Sequence, residues 1–315
     1  MKKVVVVASA LLCLCLTAAS ALASPPEAKR GPLGIVPAHN QAAKRGGGSN
    51  LTYHGGPVMQ TNNTYAIYWD PAGFTMQSNY ATTIDQFLGD VAADSGKTSN
   101  VYYSDTQYYS GTSNLIQYSS AFKGSYVDST TRFPTSGNCT DSVAATTVCL
   151  TDTQLRAEID NVINNVTHWP RDGSLFFIFT PSGVGSCDQP GSCAFSNYCA
   201  YHWNYDNGYG QTLYANQPYT MTAPSACGSG QSPNASDADS TINVVSHEHN
   251  EAITDPLGTA WFDSRGYENG DKCAWTFGTA SGPAGAQYNQ TIHAHQYYLQ
   301  REWSNRSVGC VLTGL

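Results

Sequence analysis

Two of the ten cysteines, Cys13 and Cys15, lie within the first 23 residues; the other eight are Cys139, Cys149, Cys187, Cys193, Cys199, Cys227, Cys273 and Cys310. This split constrains the fold more than any other feature, because the first 23 residues read as a secretory signal peptide. Lys2 and Lys3 give a positive start, Val4 to Leu16 an apolar core, and Ala21-Leu22-Ala23 a small-residue cleavage site. A mature chain starting near Ser24 would be secreted and would keep an even number of thiols in an oxidising compartment. Those thiols read as four disulfides. Spacing does not choose among the ~105 possible pairings. The steps Cys187-x5-Cys193-x5-Cys199 are not the paired C-x2-C steps of structural zinc.

Charged residues make up only 12% of the chain. The formal charge is −8, and it becomes −10 once the signal peptide leaves with its two lysines and no acid. So acidic a chain offers little to displace counterions from phosphates, and no nucleic-acid partner is expected. After signal cleavage no run approaches the ~20 apolar residues a membrane span requires. The longest, Leu175-Phe176-Phe177-Ile178-Phe179, has the length of a buried strand.

Residues 24–50 are rich in Pro, Gly, Ala, Lys and Arg and read as a flexible leader. The leader holds two dibasic steps, Lys29-Arg30 and Lys44-Arg45, each followed by glycine, and the run Gly46-Gly47-Gly48. Residues 51–315 continue without a second linker and read as one domain. Helical spacing places Tyr80, Ile84, Phe87, Leu88 and Val91 on one face. The same spacing groups Leu155, Ile159, Val162, Ile163 and Val166 behind an Asp152 cap, and marks a third helix over about 241–254. Extended segments are predicted at 64–69, 116–127, 174–180, 198–205, 211–219 and 293–301. The pattern implies an α/β or α+β domain, a mixed sheet with packed helices, stabilised by disulfides.

The third helix carries Ser246-His247-Glu248-His249-Asn250-Glu251-Ala252-Ile253-Thr254-Asp255-Pro256. At about 100° per residue, Ile242, Val245, Ala252 and Ile253 share a side with His249, which reads as a hydrogen-bonded core histidine. On the opposite arc lie His247, Glu248, Glu251 and Asp255. A solvated face normally mixes signs, and this one has no lysine or arginine. Carboxylates so close repel one another unless a cation or a shared proton intervenes.

The H-E-x-x-E pattern differs by one residue from the H-E-x-x-H of zinc peptidases. It makes His247 and Glu251 metal ligands one turn apart and Glu248 the candidate general base. Glu268, some twenty residues downstream, is the candidate third ligand, with Asp255 and Asp271 as supporting or alternative ligands. His293 and His295 would add ligands if their segment is a strand. The donor set suits zinc first, with manganese or calcium as oxygen-favouring alternatives. His54 and His202 fall in strand-like, aromatic surroundings without a metal-ligand pattern. The chain has no G-x-S-x-G elbow and no phosphate-binding glycine loop. Twenty tyrosines and six tryptophans fit either sheet packing or stacking on sugar rings.

Several ordered motifs resemble the EXORDIUM-like, or phosphate-induced protein, family of secreted proteins. They are Tyr53-His54-Gly55-Gly56-Pro57, Cys199-Ala200-Tyr201-His202, His247-Glu248-His249-Asn250-Glu251 with Asp255-Pro256 and Ala260-Trp261-Phe262, and Glu268 to Cys273. The closing segment, Tyr288-Asn289, Gln300, Trp303 and Cys310, is similar as well. The chain departs from the pattern in its leader, between Cys187 and Cys193, and at Asn250. The resemblance implies secretion and a place at the cell surface or wall, and supplies no reaction. The residues themselves lead to a secreted, metal-binding, peptidase-like hydrolase; together with the resemblance, the expected partner is a peptide or a cell-wall polysaccharide. The alternative is a non-catalytic extracellular protein whose helix is structural or binds a structural cation.

Overall fold

The apolar runs that read as extended segments form the centre of one six-stranded sheet. The computed structural model describes Met1 and residues 34–42, 49–143 and 145–315; apart from Met1, the signal-peptide reading and both dibasic steps fall outside these. Beyond Met1, all described residues belong to one compact unit. In chain order its main elements are β1 (Ile35–Pro37), β2 (Asn62–Trp69), α1 (Tyr80–Ala93), β3 (Ser120–Asp128), β4 (Val148–Thr151) and α2 (Asp152–Asn161). There follow β5 (Ser174–Phe179), β6 (Val184–Gln189), β7 (Tyr198–Tyr205), β8 (Thr212–Gln217) and α3 (Ala238–Thr254). The main sheet has the order β1-β7-β8-β5-β2-β3. Strands β8, β5, β2 and β3 are parallel neighbours, β7 runs antiparallel to β8, and β1 antiparallel to β7. A mixed α/β domain is therefore what forms.

Both faces of the sheet are covered, so its central strands lack the polar alternation of a half-exposed sheet. Every residue of β5 is buried. Phe177 and Phe179 pack with Ala66 and Tyr68 against Tyr80, Ile84 and Phe87 of α1 and Ile242 and Val245 of α3. On the other face Phe176 and Ile178 pack with Tyr65, Ile67 and Trp69 against Leu155 and Ile159 of α2. All seventeen residues of α3 are buried, its polar ones included.

The cysteines pair as Cys139–Cys149, Cys187–Cys193, Cys199–Cys227 and Cys273–Cys310. Cys199–Cys227 fastens β7 to the short helix Pro224–Cys227 that precedes α3. Cys273–Cys310 ties the single turn Asp271–Cys273 to the C-terminal hairpin of Glu302–Ser304 and Gly309–Val311.

Several local expectations are corrected. The leader is not wholly flexible: Ile35–Pro37 pairs with β7, and Val36 and Ala38 are fully buried. Thr151, not Asp152, caps α2. Its hydroxyl accepts the Gln154 N–H while the Gln154 side chain accepts the Thr151 N–H, a reciprocal capping box. Asp152 is freed to accept the buried hydroxyls of Tyr201 and Tyr214. Val166 is exposed because the helix widens into a π turn over Val162–Thr167, which rotates later residues off the buried face. The segment 293–301 is a hairpin arm, His295–Tyr297, preceded by His293 and Ala294 at positive φ (46° and 72°).

Glu158 of α2 is buried beside Asp128 of β3, and burial with this neighbour pushes its carboxyl up to about 9 from an ordinary 4.5. The folded state therefore binds a proton there that the unfolded chain has released across this window. Stability falls as pH rises from 4.5 toward about 9. Glu158→Gln should flatten that slope and melt above the wild type at pH 9, while melting no higher than it below pH 4.5. Parallel melting curves for the two proteins over this range would contradict the assignment.

Candidate metal centre

Helix α3 lays its polar arc against β7, the turn Asp271–Cys273 and the loop before that turn. His202 stands on β7 opposite Ala215 of β8, on the sheet face that packs against α3. Its Nδ1 is 3.0 Å from Glu248 Oε2 and 3.7 Å from Glu251 Oε2; its Nε2 is 3.8 Å from Glu268 Oε2 and 3.4 Å from the Asp255 carbonyl oxygen. One helical turn before Glu251, His247 brings Nε2 to 2.9 Å from Glu251 Oε1 and to 4.0 Å from Asp271 Oδ1. The Asp271 N–H donates to Glu251 Oε1 at 2.8 Å. Glu251 thus serves two triads, His247–Glu251–Asp271 and His202–Glu251–Glu268, in each of which one donor atom per residue lies within 4.8 Å of the others.

The turn reaches the helix because residue 270 is glycine. A Cβ there would lie 2.8 Å from the His247 ring. Neighbouring polar side chains fix the turn: Thr254 Oγ1 donates to Asn269 Oδ1 at 3.2 Å, Asn269 Nδ2 to Asp105 Oδ1 at 3.0 Å, and Gln300 Nε2 to the Gly270 carbonyl at 3.0 Å. Asp255 accepts the N–H groups of Thr259 and Ala260, both at 2.6 Å, and so ends the helix while presenting its own carbonyl to His202.

The expected arrangement is corrected in three respects. His247, Glu251 and Glu268 do not form one triad: Asp271 joins His247, whereas Glu268 joins His202, which carried no signal of its own. Glu248, expected as a general base beside water, is closed off from solvent. It is fully buried and accepts the Val36 N–H at 3.0 Å as well as facing His202. His293 and His295 are away from the centre, half exposed beside Asp94 and Asp90 respectively. His249 is a core histidine as read, bounded by the Tyr102 hydroxyl at 3.1 Å and Asn62 Oδ1 at 2.9 Å.

The electrostatics are severe. His202, His247, Glu248, Glu251, Asp255 and Glu268 are all fully buried. Among the described residues no lysine or arginine pairs with Glu248 or Glu268. Burial raises the Glu248 carboxyl to about 8, against the pull of His247 and of the Val36 N–H. Burial and then Glu251, Asp255, Asp271 and Glu248 push Glu268 well above the usual carboxylate range. Glu302, close by, is raised in the same way. His202 is driven down, because burial outweighs its acidic neighbours. Both carboxylate oxygens of Glu268 are buried with no hydrogen-bond partner among the described residues, as is Asp255 Oδ2. An unpartnered buried carboxylate costs free energy of a few kcal/mol or more, which a cation would offset.

No family model, curated protein or solved structure matches the chain.

Proposed function

We propose that the protein is a secreted, EXORDIUM-like, metal-dependent hydrolase with peptidase-like chemistry. The observation that carries this reading is the pair of triads joined at Glu251, one of them ending in the Glu268 carboxylate, whose oxygens have no hydrogen-bond partner among the described residues. Each triad combines one imidazole with two carboxylates, a set that suits zinc or manganese better than the all-oxygen shell calcium prefers. A divalent cation held there would polarise a substrate carbonyl and acidify bound water. Glu248, beside His202 and raised toward neutrality, is placed to accept a proton from a water and return it to a leaving group.

The full burial of every donor favours a second reading, a structural cation in a non-catalytic wall-associated protein. Metal analysis by mass spectrometry on the purified mature chain is the first test. One or two zinc or manganese ions per chain are expected. A metal-free protein that also fails to take up added zinc overturns the hydrolase and the structural-cation readings and leaves α3 as scaffold in a non-catalytic protein. Glu248→Gln then separates them, because it should retain the metal and abolish hydrolysis in the first, whereas in the second no hydrolysis is present to lose.

A further inference from the structure

We propose that the groove between β7 and α3 is a binding site for an extended peptide, and that β1 of the chain's own leader fills it as an internal occupant. The inference deepens the hydrolase reading, since it names an extended peptide as the substrate class.

Strand β1 adds to the outer edge of β7 as a peptide would, antiparallel, with Ile35 opposite Tyr201, Val36 opposite Ala200 and Pro37 opposite Tyr198. The His202 N–H donates to the Gly34 carbonyl at 3.1 Å, so the strand crosses the sheet edge at the very residue that supplies an imidazole to the centre. On its other side the Val36 N–H donates to Glu248 Oε1 at 3.0 Å. The segment is thus hydrogen-bonded on one flank by the sheet and on the other by the candidate base.

Gly34 lies directly against the His202 ring; a Cβ on it would fall within that ring. Past the centre, Trp275 Nε1 donates to the Pro37 carbonyl at 2.8 Å, and the His39 ring stacks on Trp275 at 4.0 Å. Val36 and Ala38 are buried completely.

Two features mark this strand as a replaceable occupant and not as an integral part of the sheet. It is three residues long, with a register shift between Val36 and Pro37, and Pro37 has no N–H with which to extend the ladder. In sequence it is bracketed by Lys29-Arg30 and by Lys44-Arg45 followed by Gly46-Gly47-Gly48, so cuts at basic pairs would separate it from the domain. Beside the packing of Ile35, Val36 and Ala38, the strand is held by backbone groups, which another extended peptide with small apolar side chains could reproduce. Lifting it would open His202 and Glu248 to solvent, and this accounts for how a catalytic centre can be buried in this structure.

The test replaces Gly46-Gly47-Gly48 in the full chain with the recognition sequence of a site-specific protease. The probe is a fluorescent peptide copying residues 33–42, and its binding is read by anisotropy before and after cutting and washing. The cut protein should bind the peptide at least tenfold more tightly than the uncut protein, and a Gly34→Val version of the peptide should bind at least tenfold more weakly. Gly34→Val in the uncut chain provides a second route, because it should displace the strand and admit the wild-type peptide without any cut. Equal binding by cut and uncut protein, or no binding by either the cut protein or the variant while both retain a cooperative melt, overturns the inference. Peptide binding without bound metal or hydrolysis would uphold the groove and remove only the hydrolase reading.

Discussion

Glu251→Gln will leave a folded protein that holds no cation at either triad, whereas Glu268→Gln will weaken only the triad built on His202. The difference follows from the two oxygens of Glu251. Oε1 lies 2.9 Å from His247 Nε2 and Oε2 lies 3.7 Å from His202 Nδ1, so one side chain belongs to both donor groups. Glutamine has the same shape and keeps an oxygen to accept the Asp271 N–H, but it loses the charge that a divalent ion needs. The expected loss of zinc affinity is about 100-fold or more, by comparison with the 10–100-fold typical of residues that only support a ligand. The metal-free variant should melt no lower than the metal-free wild type, because Glu251 is among the charges that raise Glu268 and Glu302. Calorimetric zinc titration of the three proteins checks this directly. Zinc stoichiometry unchanged in Glu251→Gln would show that the two triads are not cation sites.

A bound cation also changes what the sheet and helix have to tolerate. Without it, the carboxyls of Glu248 and Glu268 are held toward their protonated forms at neutral pH, since burial disfavours their charge. With the proposed cation bound, the same groups would ionise and the buried cluster would be compensated. On that reading one set of residues accounts for both the acid-rich arc of α3 and the lack, among the described residues, of a lysine or arginine beside Glu268. The arc was legible in the sequence because helical geometry is local: His247, Glu248, Glu251 and Asp255 share a face through spacing alone. The apolar run 175–179 and the α1 face from Tyr80 to Val91 were legible for the same reason.

Partners that depend on long-range register were not legible. His202 lies 46 residues before Glu248, and nothing near it in sequence marks it as a donor. What brings it to α3 is the antiparallel pairing of β7 with β8, which sets its side chain on the helix face of the sheet. The one available hint was that Cys199-Ala200-Tyr201-His202 is among the motifs that carry the family resemblance, and that resemblance supplies no ligand. Asp271 displaced Glu268 from the His247 triad because Gly270 lets the turn approach the imidazole, a steric matter that ligand spacing does not encode. The ordering of Ile35–Pro37 was hidden by composition: a Gly- and Pro-rich stretch cannot form a core of its own, yet three residues of it can join one that already exists.

Removing the Cys273–Cys310 bridge should cost more stability than removing Cys187–Cys193 and should also weaken the proposed metal centre. The bridge spans 37 residues, against 6 for Cys187–Cys193. On loop-closure entropy the longer closure contributes about 4 kcal/mol and the shorter about 2. In a domain of this size the larger figure corresponds to a fall of roughly 10 °C in melting temperature. Position adds to length. Cys273 is buried at the end of the turn that delivers Asp271 to Glu251, and Cys310 pairs in register with Trp303 on the last hairpin. Trp303 in turn donates its N–H to the Asn269 carbonyl at 3.0 Å and carries the Lys272 ammonium 4.1 Å above its ring. Without the bridge, these weaker contacts remain to hold the turn to the hairpin. Cys273→Ser with Cys310→Ser should therefore lower both the melting temperature and the zinc affinity, whereas Cys187→Ser with Cys193→Ser should lower only the former, and by less. Equal zinc affinity in the two double variants would mean that Asp271 is held in place by Gly270 and its hydrogen bonds without help from the C-terminal hairpin.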